Sequence, residues 1–272
     1  MASLIANRLT IFWWMMAVVA VPVGLLTWRY FTRLAGGYSA RPGEPAGVRG
    51  LLLAATRRPS GGSHLFLRHL LMDGILHRRL WHLSRSRWLA HHAILLGFVG
   101  LAVLSFLAAA AEHALLPLGL RYPAIAALRE MDQPFLAALH ESLGLLLLLG
   151  GLAAGLRRLL RRSPYLPTEE QDAFATGLIF LITISGYPLE SLRLLMERVP
   201  AELARYSFVG WPLAQLMAPL SLDWATWHFW LFQGHVVASA ALFIYWPLGK
   251  LMHAFVGPLA AALGASEERP TR

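Results

Sequence analysis

The sequence predicts an all-α integral membrane protein, a bundle of five transmembrane helices, and three observations predict it. Hydrophobic residues make up 57% of the 272-residue chain and charged residues only 14%, which leaves too little polar surface to coat a water-soluble core. Apolar runs long enough to cross a ~30 Å hydrocarbon layer recur along the chain. Arginine collects in alternate connections between those runs, as it does on the cytoplasmic side of membrane proteins. The chain, 1–272, reads as one membrane domain.

The spans run from Thr10 to Thr27, Trp88 to Ala111, Phe135 to Leu156, Phe174 to Leu195 and Phe229 to Leu251. Between the first two lie Arg29, Arg33, Arg41, Arg49, Arg57, Arg58, Arg68, Arg78, Arg79, Arg85 and Arg87 against only Glu44 and Asp73. Arg157, Arg158, Arg161 and Arg162 mark the next basic connection, whereas the stretch from His113 to Gln133 holds only Arg121 and Arg129. These counts place the N-terminus outside and the C-terminus in the cytoplasm, in a multi-pass protein of the cell's inner membrane. The first run is kept as a helix and not a signal peptide, because its basic residues follow the apolar stretch and no small-residue cleavage site is convincing.

Pro42, Gly43, Pro45, Pro59, Gly61 and Gly62 break the first basic connection into turns. Leu67, Leu70, Leu71, Gly74 and Ile75 then recur at helical spacing beside Arg68, Arg78 and Arg79, so residues 63–87 are expected along the cytoplasmic membrane surface. The net charge of +9 belongs mostly to this face and implies anionic lipid as its partner, with no nucleic acid. There is no cysteine. That excludes disulfides, iron–sulfur ligation by this chain and covalent CxxC-H haem attachment, so a redox group would be held noncovalently. No phosphate-binding glycine loop, internal repeat or nucleophile motif with partners is present.

The histidines carry the chemistry. His235 and His253 are separated by five helical turns, so on a continuous helix both imidazoles would leave one face ~27 Å apart, near opposite membrane surfaces. His91 and His92 open the second span at the depth of His253, and His140 opens the third at the depth of His235. Burying an imidazole in lipid costs free energy, and a bound cofactor explains its retention. Bis-histidine haem b needs two imidazoles from different helices, and the matched depths pair His91 with His253 inside and His140 with His235 outside. A single intramembrane histidine can equally hydrogen-bond a neighbouring carbonyl, but four at two matched depths are harder to explain that way. His92 competes with His91, about 100° round the helix. His113 and His228 fall at the outer boundary, and His64, His69, His77 and His82 in the basic segment, where solvated or lipid-facing roles are expected.

The segment HVVASAALFIYWPLGKLMH, with Pro247 twelve residues after His235, resembles the last helix of the membrane haem b subunits typified by the gamma subunit of respiratory nitrate reductase. RWLAHHAILLGFVGL resembles that family's ligand-bearing helix, with Gly97 to Gly100 as its glycine–aromatic–x–glycine run, and selects His91 over His92. ISGYPLESLR closes a stretch, Asp172 to Arg193, similar to the family's fourth helix. The resemblance covers most of the chain from Leu71 to Phe255. One departure stands out. The family's second histidine on the ligand-bearing helix is replaced here by Leu101, so His140 would complete the outer pair. That departure is closer to the branch serving sulfite-reduction-associated and heterodisulfide-reductase-like complexes.

The resemblance implies two noncovalent b haems, a quinone substrate (menaquinol or ubiquinol) and a cytoplasmic iron–sulfur subunit as partner. A quinol releases protons with its electrons, so its site needs ionisable groups at a membrane edge. Glu141 beside His140, and Glu190 with Arg193, are the candidates for proton transfer. Glu112, His113 and His228 lie at the same edge. Each of these alone is more often an interfacial anchor or ion pair. Tyr206, Phe208, Trp211, Trp224 and Trp227 would roof such a site or form an aromatic belt at the headgroups. At the inner face Arg85, Arg87, Arg157, Arg158 and Lys250 suit haem propionates, with Arg87 and Lys250 the best placed, although positive-inside topology puts cations there regardless. The competing readings are a single-haem anchor of a nitrate-reductase-type complex and a histidine-lined metal transporter.

Overall fold

The structure, a computed structural model, describes residues 8–38, 62–128, 130–160, 170–254 and 256–258. Arg41, Arg49, Arg57, Arg58, Glu44, the turn residues from Pro42 to Gly61, Arg129, Arg161, Arg162 and Phe255 lie outside the described residues, as does the side chain of His64.

The described residues form helices joined by turns and short connections, without a strand. Helix α1 is Arg8–Tyr38. Helix α2, Gly62–His69, continues as a π-helical turn over Leu70–Ile75 and is followed by α3, Arg78–Leu83. Helix α4, Arg85–Ala110, likewise ends in a π-helical turn at Ala111–Leu115. Then come α5 (Pro123–Ala127), α6 (Pro134–Leu160), α7 (Glu170–Glu197), α8 (Ala201–Ala204), α9 (Gly210–Met217) and α10 (Trp224–Tyr245).

Five segments are long and apolar enough to cross a membrane: Thr10–Leu34, Arg85–Leu115, Pro134–Leu160, Ala173–Glu197 and Trp224–Leu248. The first four run past the apolar limits read from sequence, because arginine and glutamate are good helix formers and extend the backbone ladder, whereas the fifth starts earlier, at Trp224, and ends short of Leu251, at Leu248. Their outward faces stay apolar, with Trp14, Phe106, Leu159 and Trp230 all exposed. In water such a surface would be a liability, whereas lipid is its natural solvent.

The chain forms two compact units. The first comprises residues 1–12, 89–167 and 176–239, and the second 13–88, 168–175 and 240–272.

In the first unit α4 and α6 meet backbone to backbone. A Cβ on Gly97 would lie 2.6 Å from the carbonyl oxygen of Leu143, and one on Gly150 would lie 2.9 Å from both Ala93 Cβ and Ile94 N. Because lipid offers no hydrophobic drive between helices, small residues that let backbones approach are what hold such a pair. Gly97 and Gly100 face Leu143 for this reason. Beside them, Leu194 of α7, Ala204 of α8 and Ala214 of α9 form a buried cluster closed by Leu195, Val199 and Trp211. Trp211 is thus a packing residue of that cluster.

In the second unit the basic segment is not one continuous surface helix. His77 takes a left-handed conformation (φ 47°) and separates α2 with its π-helical turn from α3. Gly74 is buried, and a Cβ there would fall 2.7 Å from the backbone of Pro258. His69 Nδ1 meets Asp73 Oδ2 at 2.8 Å, and Arg78 Nε lies 3.9 Å from Asp73 Oδ1. His69 and the arginines hold the Asp73 carboxyl below the usual carboxylate range, the hydrogen bond from His69 being the larger cause. Trp81 and Trp88 pack edge to face at 4.8 Å, and Trp88 Nε1 donates to the Leu76 carbonyl at 2.7 Å.

The last span also differs from its expected form. The α-helix stops at Tyr245, and 3-10 turns occupy Trp246–Leu248 and Lys250–Met252, with extended Gly249 (φ −106°, ψ −177°) between them. The cause is local. Pro247 donates no hydrogen bond and disfavours α geometry at the residue before it. A Cβ on Gly249 would lie 2.6 Å from Tyr245 Cε1. The expectation that His235 and His253 leave one face of an unbroken helix is therefore corrected: the path between them is interrupted.

Candidate functional site

Three expected site histidines, His91, His140 and His235, belong to the first unit, as do Glu141 and Glu190. His235 on α10 and His140 on α6 are both half-buried. The Nδ1–H of His140 donates to the Leu136 carbonyl one turn back at 3.0 Å. His235 Nδ1 lies 2.9 Å from Ser185 Oγ of α7, and the His235 ring faces Gly186, whose missing Cβ would sit 3.9 Å from Cε1. A carbonyl can only accept, so the ring nitrogen facing Leu136 carries the proton and Nε2 of His140 keeps its lone pair. The same logic holds for His253 in the second unit, an exposed residue whose Nδ1–H donates to the Lys250 carbonyl. A histidine that binds a metal through one nitrogen characteristically gives its other N–H to an oxygen acceptor. By chemistry of the donor set, then, these residues fit haem iron.

His77 shows the same kind of contact, to Ile75, and His69 gives its Nδ1 to Asp73. Both lie outside the apolar spans, as His253 does, so of these histidines bonded through Nδ1 to a carbonyl or carboxylate only His140 lies within a span. His91 is half-buried and packs edge to face against buried His92 at 5.8 Å. His228 is buried and stacks on Phe232 at 6.0 Å. Its expected solvated place at the boundary is corrected by this packing. Among the described residues no group of three or more His, Cys, Asp or Glu is placed to hold a metal ion. Haem iron differs from a bare ion in taking four of its bonds from porphyrin nitrogens, so two imidazoles complete it.

The carboxylates converge around the start of α9. Glu141 of α6 is buried and accepts the backbone N–H groups of Val209 at 2.9 Å and Gly210 at 3.3 Å. These are orphan donors at a helix N-terminus, where a carboxylate is favoured. Glu190 of α7 grips Arg193 through both oxygens at 2.9 Å and accepts from Ser207 Oγ at 2.9 Å. Arg193 is only 8% exposed and also reaches Asp132 at 2.7 Å and Glu197 at 2.8 Å. The two glutamates flank one residue: a Cβ on Gly210 would lie 2.9 Å from Glu190 Cγ and 3.1 Å from Glu141 Oε1. Ser191 Oγ closes the cluster on the Gly210 carbonyl at 2.9 Å. The Tyr187 hydroxyl is buried without a hydrogen-bond partner among the described residues. It lies against Gly144, one turn from Glu141.

Sequence reasoning found the histidines and both glutamates but missed Ser185, Tyr187, Asp132, Ser207 and the Val209–Gly210 amides. Ser185 and Tyr187 stand in a stretch that drew attention only as a motif, and nothing local pointed to their partners. Of the expected propionate partners, Arg87 and Lys250 are both exposed. A cavity of about 580 Å³ in the second unit, lined by Leu26, Arg29, Tyr30, Arg33, Leu34, Pro247 and Leu248, includes none of the histidines.

Five apolar spans with imidazoles and carboxylates set into them define the class as a multi-pass membrane protein. The chain belongs to the nitrate reductase gamma subunit family, whose model matches residues 84–263. It is 29% identical over 168 residues to a protein of the dihydromethanophenazine:CoB–CoM heterodisulfide reductase of Methanosarcina thermophila, covering 58% of this chain and 61% of that protein. It is 30% identical over 129 residues to the EtfAB:quinone oxidoreductase of Syntrophomonas wolfei subsp. wolfei, covering 44% of this chain and 18% of that one. The chain thus spans less than two thirds of the length of either curated relative. No solved structure matches it. The family and the expected likeness to heterodisulfide-reductase-type proteins are both borne out.

Proposed function

We propose that this chain is a dihaem cytochrome b subunit of the inner membrane, carrying electrons between the quinone pool and a cytoplasmic iron–sulfur partner, with quinol oxidised at the outer face. The observation that carries the reading is the state that two of the four expected ligands share. His140 and His253 each spend Nδ1–H on a backbone carbonyl and keep Nε2 for iron, while His235 has its Nδ1 against a hydroxyl.

His140 and His235 would hold the outer haem, and His91 and His253 the inner one. The inner pair rests on their depths in the sequence and on the Lys250 contact of His253. Haem, when bound, supplies one-electron redox chemistry. Arg87 and Lys250 would meet its carboxylates at the basic side. Orientation follows from the arginine distribution, with the N-terminus outside.

Glu141 and Glu190 are the groups proposed to handle quinol protons. They sit on one cluster with Tyr187, and each already accepts two or more hydrogen bonds, which holds its oxygens in place. The relatives add support by their names, one belonging to a heterodisulfide reductase and the other being a quinone oxidoreductase. They leave the quinone type and the far end of the electron path to the partner proteins.

Reduced-minus-oxidised spectra with pyridine haemochrome quantification, on wild type, His140→Ala and His253→Ala, test this. Two b haems per chain in wild type, and one lost in each variant, is the expected result. A single haem insensitive to His140 would refute the outer site, and a colourless protein would return the chain to an anchor role.

A further inference from the structure

His235 differs from His140 and His253 in one respect that its own helix does not explain. His140 and His253 hydrogen-bond to carbonyls of residues three or four positions back, acceptors that come with the helical turn itself. His235 instead meets a side chain from another helix, Ser185 Oγ of α7, 50 positions away in sequence and 2.9 Å away in space.

A serine hydroxyl has one proton and two lone pairs. The hydroxyl is placed to give that proton to the Ile182 carbonyl at 3.1 Å, the usual back-bond of a serine inside a helix, and in that arrangement its donor is spent. With its donor committed, Ser185 Oγ can only accept. The proton on the His235–Ser185 contact must then sit on Nδ1, and Nε2 is left with its lone pair. The opposite arrangement would turn the hydroxyl toward His235, break the Ile182 bond and put the ring proton on Nε2, where it would block ligation.

We infer that Ser185 is a positioning residue that selects the ligating tautomer of His235 and sets the reduction potential of the group His235 holds. This rests on the reading of His235 as an iron ligand. An acceptor on Nδ1–H pushes electron density onto the ring, makes Nε2 a stronger donor and favours ferric over ferrous iron, which lowers the potential. The same helix carries Glu190, five residues further on, so α7 links the electron acceptor at His235 to the carboxylate cluster at Gly210.

The test uses full-length protein purified in detergent with its haem: wild type, Ser185→Ala, Ser185→Thr and His235→Ala. Potentiometric titration followed in the visible Soret and α bands gives each haem's midpoint. Ser185→Ala is expected to keep the wild-type haem content and to shift one midpoint upward, while the other stays fixed. Ser185→Thr, which keeps the hydroxyl and the back-bond, is expected to restore it. If Ser185→Ala does not fold, Ser185→Cys, which substitutes a poor acceptor of similar size, is expected to give the same upward shift.

An unchanged midpoint in Ser185→Ala or Ser185→Cys, with His235-dependent haem present, overturns the role of Ser185 while leaving the haem reading intact. Haem content unaffected by His235→Ala overturns the haem reading itself. The claim on the potential falls with it, and 15N-labelled histidine spectra test the tautomer by itself: an Nδ1-protonated His235 that becomes mixed in Ser185→Ala supports selection by Ser185, and an Nε2-protonated one overturns it.

Discussion

Glu190 grips the Arg193 guanidinium by both carboxylate oxygens at 2.9 Å, on the same helix and one turn away. The guanidinium is poorly hydrated, Arg193 being 8% exposed, and Asp132 from the α5–α6 connection accepts from the same Nη2 as Glu190 does, at 2.7 Å. Removing Glu190 takes away the two-oxygen partner, and with Asp132 still on the guanidinium the loss is about 1.5–3 kcal/mol, the worth of hydrogen bonds to a charged group. Glu190→Ala is therefore expected to lower the thermal unfolding midpoint of the purified protein sharply. Glu197, whose side chain is 41% exposed, contacts the same guanidinium, but Glu197→Ala is expected to lose under about 1 kcal/mol because water screens that contact. Equal effects from the two would contradict the burial argument.

The contact of α4 with α6 depends on an absent side chain. Gly97→Val places a Cβ 2.6 Å from the Leu143 carbonyl oxygen and 2.7 Å from Leu147 N. Both neighbours include backbone that cannot step aside without parting the helices. Overpacking of this kind costs about 1–3 kcal/mol, and His91 and His140, carried on these two helices, would shift apart. Gly155 on α6 has nothing within 4 Å of its would-be Cβ. Gly155→Ala is expected to be neutral or to stabilise the helix by about 0.5–1 kcal/mol, since glycine is the poorer helix former. Circular dichroism melts of both variants against wild type check the contrast.

Asp73 gives the basic segment a pH dependence. Its folded carboxyl is held below the usual carboxylate range, first by the hydrogen bond with His69 and then by the charges of Arg78, His69 and Arg79. A group whose folded pKa is depressed contributes stability that is present above its unfolded value, near 3.9, and is lost as pH falls through the folded value. The link between α2 and α3 is thus expected to hold at neutral pH and to weaken below about pH 4. Melting curves of wild type and Asp73→Asn from pH 6 to pH 3 should converge on acidification. A gap that widens as pH falls would reverse the sign and refute the assignment.

The spans were legible because lipid imposes one solution on long apolar runs, and the glycine–x–x–glycine of α4 was legible as a pattern before its role as a contact was visible. The imidazole contacts divide by distance. A bond such as His140 to Leu136 follows from helical spacing alone, while His235 to Ser185 and Arg193 to Asp132 join positions 50 and 61 apart, which only packing brings together. The carboxylates were picked for their charge at a membrane edge. That they share Gly210 depends on where the α8–α9 connection turns back, a feature without periodicity to read. The break after Tyr245 did have a signal, Pro247 followed by Gly249, but the match of the His235–His253 interval to five helical turns hid it.

That break carries the last prediction. Gly249 is extended between two 3-10 turns, and a Cβ there would press to 2.6 Å on Tyr245 Cε1 and 3.0 Å on its Cζ. Tyr245 packs edge to face with Phe174 of α7 at 5.0 Å, so a displaced ring loses an aromatic contact worth about 0.5–1.5 kcal/mol beyond its buried area. Gly249→Ala is expected to destabilise the second unit by about that much and to turn the short segment bearing His253. Haem content and the two midpoint potentials read the second effect. The midpoint of the group that His253 holds should move or that haem should be lost, while the one assigned to His235, in the first unit, stays where it was. A change at the His235 midpoint with His253 unaffected would reverse the assignment of the two histidines to separate haems.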